Sequence, residues 1–485
     1  MKQSETRNLT MMMDLYEMTM ANGYFNDQDK DTRVAFDVFY RSNPDGGGFA
    51  IFAGLEQILE YIENLHFDEE DIAYFRSLNI FTEDFLAYLK DFKFSGDIYA
   101  FKEGTIMYPN EPIITVVAPL IDAQLIETAL LAQVNHQSLI ATKTRRIVSA
   151  AEGRAVSDFG ARRAHNMDAA VYGARAAYIG GAVGTATVLA GQMFDIPVSG
   201  TMAHSWVMYY KDEFEAFKHY AENYPDGTVL LVDTYDVIGS GIPNAIRVAK
   251  EVLEPMGKRL KGIRIDSGDL AYLSKKARKM LDEAGFEEAT ICASNDLDEY
   301  LIHDLKMQGA AIDSWGVGTN LITSKDCPSF GGVYKLAAIQ NKNGEFEPKI
   351  KLSENTEKIT NPGNKTVYRI YEKETGKMKA DYICFVDEEI NPEEDLLLFD
   401  PSETWKKTKM KAGTYTVREM MQPIFINGEC VYTSPSVKEI AAYCRQEKET
   451  LWDESKRLFN PHQMYIDLSP RLYEVKKQLL DRMSA

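Results

Sequence analysis

The middle third of the chain repeats a pattern of short apolar runs, each ending in a polar or glycine residue and followed by an amphipathic helical stretch. Successive run ends lie roughly 22 to 41 residues apart, which is typical of a strand followed by a helix. No repeat of individual residues accompanies this spacing, so the regularity predicts an architecture. The predicted strands are 154–158, 196–199, 229–233, 262–266, 290–294 and 314–316.

Apolar residues at three- and four-residue spacing predict the helices between these strands. One helix begins after Asp269 and ends near Gly285, and another begins after Asn295 and Asp296, which are good N-caps, and ends near Gly309. Strands that alternate with helices predict a parallel sheet. Six such units, with polar groups at the carboxyl ends of the strands, favour an α/β (TIM-like) barrel over an open sheet, with the chemistry at that end.

The segments on either side of this region have other patterns and predict further domains. We expect an N-terminal α+β domain over 1–135, the barrel catalytic domain over 136–330, and a strand-rich return segment over 331–435 that packs on the N-terminal domain. A helical C-terminal region is expected over 436–485. The N-terminal and post-barrel segments would then build one discontinuous α+β domain.

Composition and charge restrict the classes of protein to which the chain can belong. Its 485 residues are 45% hydrophobic and 26% charged, which is ordinary for a globular protein. The formal net charge of −19 argues against nucleic-acid binding and against docking on anionic lipid, since both need an excess of Lys and Arg. The five cysteines form no CxxC pair and favour a reducing compartment. With no signal peptide and no apolar run long enough to span a bilayer, we expect a cytoplasmic protein without membrane contact.

Acids and arginines follow the predicted strands and would converge at one mouth of the barrel. Mixed carboxylates and guanidinium groups in one cleft suit a ligand that carries phosphates, hydroxyls and a divalent cation. The alternative is that each residue caps a helix or forms a surface ion pair. The set comprises Asp158, Asp233, Asp236, Asp266, Asp269, Arg162, Arg163 and Arg264.

A glycine-rich turn follows the last predicted strand at 315–320 and contains Gly316, Gly318 and Thr319. Barrels often bind phosphate at this place, because backbone N–H groups without a neighbouring side chain can approach an anion closely. A plain tight turn is the alternative. The position of the turn within the series of strand and helix units favours the phosphate site.

A histidine and two aromatic residues are further candidates for chemistry. His204 follows a predicted strand, where it could be a general base, a metal ligand, a phosphate acceptor or a structural histidine. No second His or Cys stands at ligand spacing, so a His-based metal site is not expected. The rings of Tyr16 and Phe159 could enclose a flat heterocycle, or they could belong to the core.

Five short motifs occur in a fixed order along the chain. They are Asp14-Leu-Tyr16-Glu-Met-Thr19-Met, Phe159-Gly-Ala-Arg162-Arg163, Gly200-Thr201-Met-Ala-His204, Ile263-Arg264-Ile-Asp266-Ser-Gly268-Asp269 and Gly316-Val-Gly-Thr319. Together they resemble the motifs of nicotinate phosphoribosyltransferases, and the resemblance spans roughly residues 8–470. It implies an α+β domain and an irregular α/β barrel in a head-to-tail homodimer with shared active sites.

The resemblance also implies a reaction and its co-substrates. Nicotinate would react with phosphoribosyl pyrophosphate to give nicotinate mononucleotide and pyrophosphate, a step of NAD biosynthesis. The transfer would be coupled to ATP hydrolysis through a phosphorylated histidine, and the matching position is His204. Mg²⁺ would be carried mainly by the pyrophosphate of the substrate, so no metal site made by the protein alone is expected.

The resemblance assigns a role to each matching residue. Tyr16 would stack on nicotinate in the active site of the partner subunit, and Phe159 would cover the other face of the ring. Asp233 would accept a hydrogen bond from His204 and orient its imidazole. The other substrate-binding positions are Arg162 near the ring, Thr201 and Arg264, then Asp266 and Asp269 for ribose hydroxyls or Mg²⁺-pyrophosphate, and Gly316, Gly318 and Thr319 for the 5-phosphate.

Ala186 bears on which pyridine is the substrate. In nicotinamide phosphoribosyltransferases, the segment that resembles 184–188 carries an Asp at this place, which accepts hydrogen bonds from the carboxamide and would repel the carboxylate of nicotinate. Ala186 therefore favours the acid. The alternatives are the nicotinamide enzyme, the quinolinate (decarboxylating) enzyme, and a non-catalytic nucleotide-binding or sensor protein on an inherited barrel.

Overall fold

The computed structural model describes residues 7–27, 29–353, 359–401 and 403–484. By its internal contacts the chain forms two compact units. The central unit is Ile140–Pro328, and the flanking unit is Met1–Leu139 together with Ser329–Ala485. In the described ranges, no helix is long and apolar enough to cross a membrane.

The first part of the flanking unit contains several helices with well-capped first turns. The side chains of Asp68 and Thr82 accept hydrogen bonds from backbone N–H groups, which fixes where two of these helices begin. The elements are α1 (Leu15–Asn26), β1 (Arg33–Tyr40), β2 (Ala50–Ile51), α2 (Leu55–Glu63), α3 (Glu69–Ser77), α4 (Glu83–Lys90), β3 (Asp97–Ala100), β4 (Ile106–Met107), β5 (Ile114–Pro119), α5 (Leu120–Gln124) and α6 (Glu127–Ala150), which is shared with the central unit from Ile140 onward.

The central unit alternates strands with helices along the chain. Its elements are β6 (Ala155–Asp158), α7 (Met167–Gly180), β7 (Gly184–Thr185), α8 (Val188–Phe194), α9 (His204–Tyr209), α10 (Glu213–Asn223), β8 (Val229–Leu231), α11 (Ile242–Val248), β9 (Gly262–Ile265), α12 (Leu270–Glu283), β10 (Thr290–Asn295), α13 (Glu299–Met307), β11 (Ser314–Val317) and α14 (Thr319–Ile322). The strands form a parallel sheet in the order β7-β6-β11-β10-β9-β8. The prediction of a parallel α/β sheet is confirmed.

The barrel itself is not confirmed. Strands β7 and β8 end the hydrogen-bonded order, and no closed ring of strands is found in the part of the chain that the structure describes. Five of the six predicted strands are present. The exception is 196–199, which contributes a single parallel bridge between Thr185 and Val198. Pro197 has no N–H to donate to a ladder, and this limits strand formation there.

The second part of the flanking unit is rich in antiparallel strands. Its elements are β12 (Gly332–Gln340), β13 (Phe346–Pro348), β14 (Lys365–Glu372), β15 (Met378–Phe385), β16 (Leu396–Phe399), β17 (Lys407–Met410), β18 (Tyr415–Glu419), β19 (Gln422–Ile426), β20 (Glu429–Cys430), α15 (Val437–Glu449), β21 (Ile466–Leu468) and α16 (Pro470–Ser484). Strand β12 pairs with β1, and β19 pairs with β3, so segments from both ends of the chain share the sheet β13-β12-β1-β5-β3-β19-β20.

The main core of the flanking unit joins this sheet to its helices. Val38 and Val116 of the sheet and Ile58 and Phe85 of the helices belong to one cluster, and each is at most 1% exposed. The same cluster contains Ile424 of β19 and Leu468 of β21, so the flanking unit is discontinuous in sequence.

Candidate active site

A cleft of about 670 Å³ lies at the carboxyl ends of the central parallel strands. This volume suits a small-molecule ligand. The lining combines loops that follow β6, β7, β9, β10 and β11 with the segment that leads into α9. The lining residues are Phe159, Arg162, Arg163, Ala186, Gly200, Thr201, Met202, Ala203, His204, Arg264, Asp266, Ser294, Asn295, Asp296, Gly316, Gly318 and Thr319.

His204 and Asp233 form a hydrogen-bonded pair at this cleft. His204 is the first residue of α9, its side chain is 38% exposed, and its Nε2 lies 3.2 Å from Oδ1 of Asp233. The Asp233 side chain is only 1% exposed. Its other oxygen, Oδ2, accepts hydrogen bonds from the Asp266 N–H at 3.0 Å and from the Ser267 hydroxyl at 2.6 Å. The carboxylate is therefore held in place, and it fixes the orientation of the imidazole.

Arginine side chains give the cleft a positive character that the whole chain lacks. Arg264 donates from Nη1 to the Thr201 hydroxyl at 2.6 Å, whereas its buried Nε has no hydrogen-bond partner among the described residues. Arg162 and Arg163 stand on a short 3₁₀ turn and line the same cleft. A buried donor without a partner in a cationic cleft fits an anionic ligand, whose oxygens would satisfy it.

Phe159 lies against the strand that carries Gly316. A Cβ atom at Gly316 would stand 2.4 Å from both Cδ2 and Cε2 of the Phe159 ring, which is far inside van der Waals contact. Glycine is thus required here so that the ring can lie close against the strand. Gly316 was expected to hold phosphate, and what the structure shows at this position is the close approach of an aromatic ring at the cleft.

Gly318 and Thr319 lie where β11 turns into α14. Gly318 precedes the helix and Thr319 is its first residue, so the backbone at this turn faces the cleft without a bulky side chain. This is the arrangement expected of a phosphate-binding turn. Asn320, the next residue, donates from its side-chain amide to the carbonyls of Asp296 and Leu297 at 3.1 Å, which ties the turn to the end of β10.

Several of the predicted acids are not in the cleft lining. Asp269 caps α12, where its Oδ1 accepts the Tyr272 N–H at 2.9 Å. Its observed contact is thus the helix cap that was considered as the alternative to ligand binding. Asp158 is fully buried and accepts hydrogen bonds from the Gly160 N–H and the Thr185 hydroxyl, and burial raises its pKa. Asp236 also accepts backbone N–H groups, at the start of a π-helical turn. These three side chains hold local structure.

Tyr16 belongs to the other unit. It lies on α1 of the flanking unit and is 45% exposed. The structure of this chain therefore shows an aromatic ring that is available for contact, as its expected role requires.

The end of β10 supplies residues that the sequence did not identify as part of the site. Ser294 donates a hydrogen bond to Oδ1 of Asp266, and Asn295 has a φ of 124°, which is unusual for a residue with a side chain. Asn295 and Asp296 were predicted to cap the next helix, but Asp298 does so, accepting the Leu301 N–H at 2.7 Å. The signal in the sequence that could have placed these residues in the site was the run of polar residues at the end of the predicted strand 290–294.

Known proteins resemble this chain along nearly its full length. Family models match for the nicotinate phosphoribosyltransferase (NAPRTase) N-terminal domain over residues 11–135, for the nicotinate phosphoribosyltransferase (NAPRTase) family over 154–379, and for the nicotinate phosphoribosyltransferase C-terminal domain over 364–476. The nicotinate phosphoribosyltransferase of Bacillus subtilis (strain 168) is 47% identical over 98% of both chains. That of Dictyostelium discoideum is 34% identical over 97% of this chain and 88% of its own.

A solved structure agrees with these relatives. The crystal structure of human nicotinic acid phosphoribosyltransferase matches with a TM-score of 0.85 and 27% identity, covering 96% of this chain and 99% of the human chain. The parallel sheet, its cationic cleft and this match define an enzyme of the phosphoribosyltransferase class. Within that class, the chain belongs to the nicotinate phosphoribosyltransferase family. The resemblance carried by the five motifs is thereby confirmed.

Proposed function

We propose that this protein transfers the phosphoribosyl group of 5-phosphoribosyl 1-pyrophosphate to nicotinate, coupled to ATP hydrolysis through phosphorylation of His204. The products would be nicotinate mononucleotide, pyrophosphate, ADP and phosphate, and the mononucleotide would enter NAD biosynthesis. The observation that carries the coupling is the His204–Asp233 pair at the cleft. Family membership supports the transfer itself.

The transfer reaction needs no activated protein nucleophile. The pyridine nitrogen of nicotinate attacks C1 of the ribose, the bond from C1 to the pyrophosphate oxygen breaks, and pyrophosphate leaves with the electron pair. Arg162, Arg163 and Arg264 line the cleft where negative charge builds up on the leaving group. Asp266 supplies a carboxylate for the cationic sugar of the transition state or for its hydroxyls.

The geometry of the His204 ring supports its phosphorylation. The hydrogen bond to Asp233 keeps the proton on Nε2, and this leaves Nδ1 unprotonated as the nucleophile. Nδ1 would attack the γ-phosphorus of ATP, forming an N–P bond as the bond to the β-phosphate oxygen breaks and ADP leaves. The imidazolium charge that develops is stabilised by the Asp233 carboxylate.

Mg²⁺ is proposed to arrive with the substrate pyrophosphate. The described residues contain no group of three or more His, Cys, Asp or Glu side chains placed to hold a metal ion. Asp266 is a carboxylate in the cleft lining that would share such an ion with the phosphates, which is the usual coordination of Mg²⁺ in phosphate chemistry. The ion would neutralise the leaving group.

The enzyme is proposed to work as a head-to-tail homodimer with shared active sites. The central parallel sheet is proposed to belong to an irregular α/β barrel. Large apolar side chains on the flanking unit support a subunit interface, because Met12, Leu15 and Tyr16 of the N-terminal segment are 45% to 55% exposed. Met208 and Tyr209 of the central unit are exposed as well, at 65% and 82%. Tyr16 would then stack on nicotinate opposite Phe159 in the site of the partner subunit.

The substrate is proposed to be the acid because of residue 186. Ala186 lines the cleft, so the position expected to hold an Asp in a nicotinamide enzyme bears only a methyl group. A carboxylate ligand then meets no like charge at this position, and the cationic side chains of the cleft favour it.

The experiment is to follow nicotinate mononucleotide formation with phosphoribosyl pyrophosphate and Mg²⁺, with and without ATP. Parallel reactions contain nicotinamide or quinolinate instead of nicotinate. The variants are His204→Ala and, as a matched control, His219→Ala, whose side chain is exposed on α10. Of the three pyridines, we expect only nicotinate to give product. ATP should stimulate product formation in the wild type and in the control but not in His204→Ala.

The other outcomes each contradict a defined part of the proposal. Product from nicotinamide would overturn the interpretation of Ala186, and product from quinolinate with loss of carbon dioxide would indicate the decarboxylating enzyme. ATP stimulation that survives in His204→Ala would exclude the phosphohistidine. Tight binding of nicotinate mononucleotide without turnover of any substrate would indicate a binding protein.

A further inference from the structure

One buried hydrogen bond joins the starts of two loops that line the cleft. Asp158 is the last residue of β6 and Thr185 is the last residue of β7, and the two are paired in the parallel register of these strands. The Thr185 hydroxyl donates to Oδ2 of Asp158 at 2.7 Å, and both residues are 0% exposed. Both belong to the central unit.

The Asp158 carboxylate fixes the loop that carries Phe159. Its Oδ1 accepts the Gly160 N–H at 2.8 Å, and the Phe159 N–H donates to the Val317 carbonyl of β11 at 2.8 Å. Burial raises the pKa of Asp158, and the two hydrogen bonds to its carboxylate act against that rise. The backbone at Phe159 is therefore held from two sides where its ring lines the cleft.

Thr185 fixes the loop that carries Ala186. Its Oγ1 accepts the Thr187 N–H at 3.0 Å while the hydroxyl donates to Asp158, and the Ala186 N–H donates to the Asp158 carbonyl at 2.9 Å. A hydroxyl that donates and accepts at the same time has a defined direction. One chain of hydrogen bonds thus runs from Gly160 on the first loop to Thr187 on the second.

We propose that the bond between Asp158 and Thr185 positions nicotinate, because it sets the spacing of the two loops between which the pyridine would bind. Phe159 on the first loop would cover the ring, and Ala186 on the second would lie beside its carboxylate. Asp158 and Thr185 do not line the cleft themselves, so they act through these neighbours. Loops that are held at the right spacing before substrate arrives spare binding the entropy of ordering them. The role rests on the proposed function, in which nicotinate is the substrate.

The test compares Thr185→Val with Thr185→Ser in steady-state kinetics of nicotinate mononucleotide formation by the full chain. Valine has the shape of threonine without the hydroxyl, so it removes the bond to Asp158, whereas serine keeps a hydroxyl and is the conservative rescue. Thr228→Val is the matched control. Thr228 is 0% exposed in the same unit, its hydroxyl donates to the Tyr224 carbonyl at 2.7 Å, and it does not line the cleft.

We expect Thr185→Val to raise KM for nicotinate about five- to tenfold, because the loops lose the bond that sets their spacing. KM for phosphoribosyl pyrophosphate and kcat should change less than about twofold. Thr185→Ser and Thr228→Val should stay within about twofold of the wild type in both KM values.

The double variant Asp158→Asn/Thr185→Val covers the case in which Thr185→Val does not fold. Asparagine keeps an oxygen that can accept the Gly160 N–H, and it avoids leaving a buried carboxylate oxygen without a donor. The double variant should show the same rise in KM for nicotinate. In Asp158→Asn alone the amide can donate to the Thr185 hydroxyl, so the rise should be less than about threefold.

The positioning role would be overturned by equal increases of both KM values, or by a Thr185→Ser variant as impaired as Thr185→Val. An unchanged KM for nicotinate in the variants that lack the bond would also overturn it, as would an equal rise in Thr228→Val. These results require an active wild type and leave the proposed function intact. A wild type that forms no nicotinate mononucleotide would contradict the proposed function instead.

Discussion

At the scale of single residues, the structure explains more definitely than the sequence why position 316 is a glycine. The glycine-rich turn predicted a phosphate site, but the closest constraint on Gly316 is the ring of Phe159, against which a Cβ atom would collide. The aromatic ring and the turn therefore depend on the same residue, because the glycine of the turn also allows the Phe159 ring to pack against the strand. A pattern of glycines cannot show which neighbour requires them.

We expect Gly316→Ala to displace Phe159 and to raise KM for nicotinate roughly three- to tenfold, with a loss of about 1–3 kcal/mol in the free energy of unfolding. Kinetics and denaturant unfolding measure the two effects. Gly227→Ala is the control, because a Cβ atom there meets nothing within 4 Å. An unchanged KM for nicotinate in Gly316→Ala would show that the Phe159 ring does not contact the substrate.

At the scale of elements, a buried ion network joins four parts of the flanking unit. Arg369 of β14 is fully buried and binds both oxygens of Asp381 on β15, at 2.7 and 2.6 Å. It also donates to Glu447 of α15 at 3.0 Å and to the carbonyl of Ile106 in β4 at 2.7 Å. A charge in such a place is tolerable only because each partner is present.

Arg369→Met should lower the free energy of unfolding by about 3–5 kcal/mol, because it leaves the Asp381 carboxylate buried without its cation, whereas Glu447 keeps its ion pair with Arg418. Denaturant unfolding of the full chain is the measurement. Arg471→Met is the control, since Arg471 pairs with Asp387 where both side chains are more than half exposed, and it should change stability by less than about 1 kcal/mol. Equal losses in the free energy of unfolding of the two variants would contradict a stabilising contribution of the buried ion network.

At the scale of the whole molecule, the proposed shared site can be tested by mixing inactive subunits. Tyr16→Ala alters the flanking unit and Arg264→Ala alters the central unit. If Tyr16 acts in the site of the partner subunit, a mixed dimer contains one site with both substitutions and one with neither. Equal mixing should then restore about one quarter of the wild-type activity, because about half of the dimers are mixed.

The control for this experiment mixes Arg264→Ala with Asp266→Ala, which both alter the central unit and should not restore activity. Recovery in the first mixture alone supports the shared site. No recovery in either mixture would mean that Tyr16 serves its own subunit or that it does not take part.

Features that depend on neighbours along the chain could be predicted from the amino-acid sequence. Apolar spacing determined the helix after Asp269 and five of the six predicted parallel strands, because burial on one face imposes a period that can be counted. The ordered motifs determined the family, because such a combination is specific where each motif is not. Net charge and cysteine spacing favoured certain classes but did not reveal the cationic cleft.

Which of several similar residues come into contact depends on how the chain packs, and the sequence pattern does not show it. Asp233 and Asp269 both follow predicted strands, yet Asp233 reaches across 29 residues to His204 while Asp269 caps its own helix. A carboxylate that follows a strand can either cap the next helix or accept a hydrogen bond from a distant residue. Which of these it does depends on the donor that the packed sheet brings within about 3 Å. The contact of Phe159 with Gly316 was decided in the same way, because it joins segments that are distant along the chain.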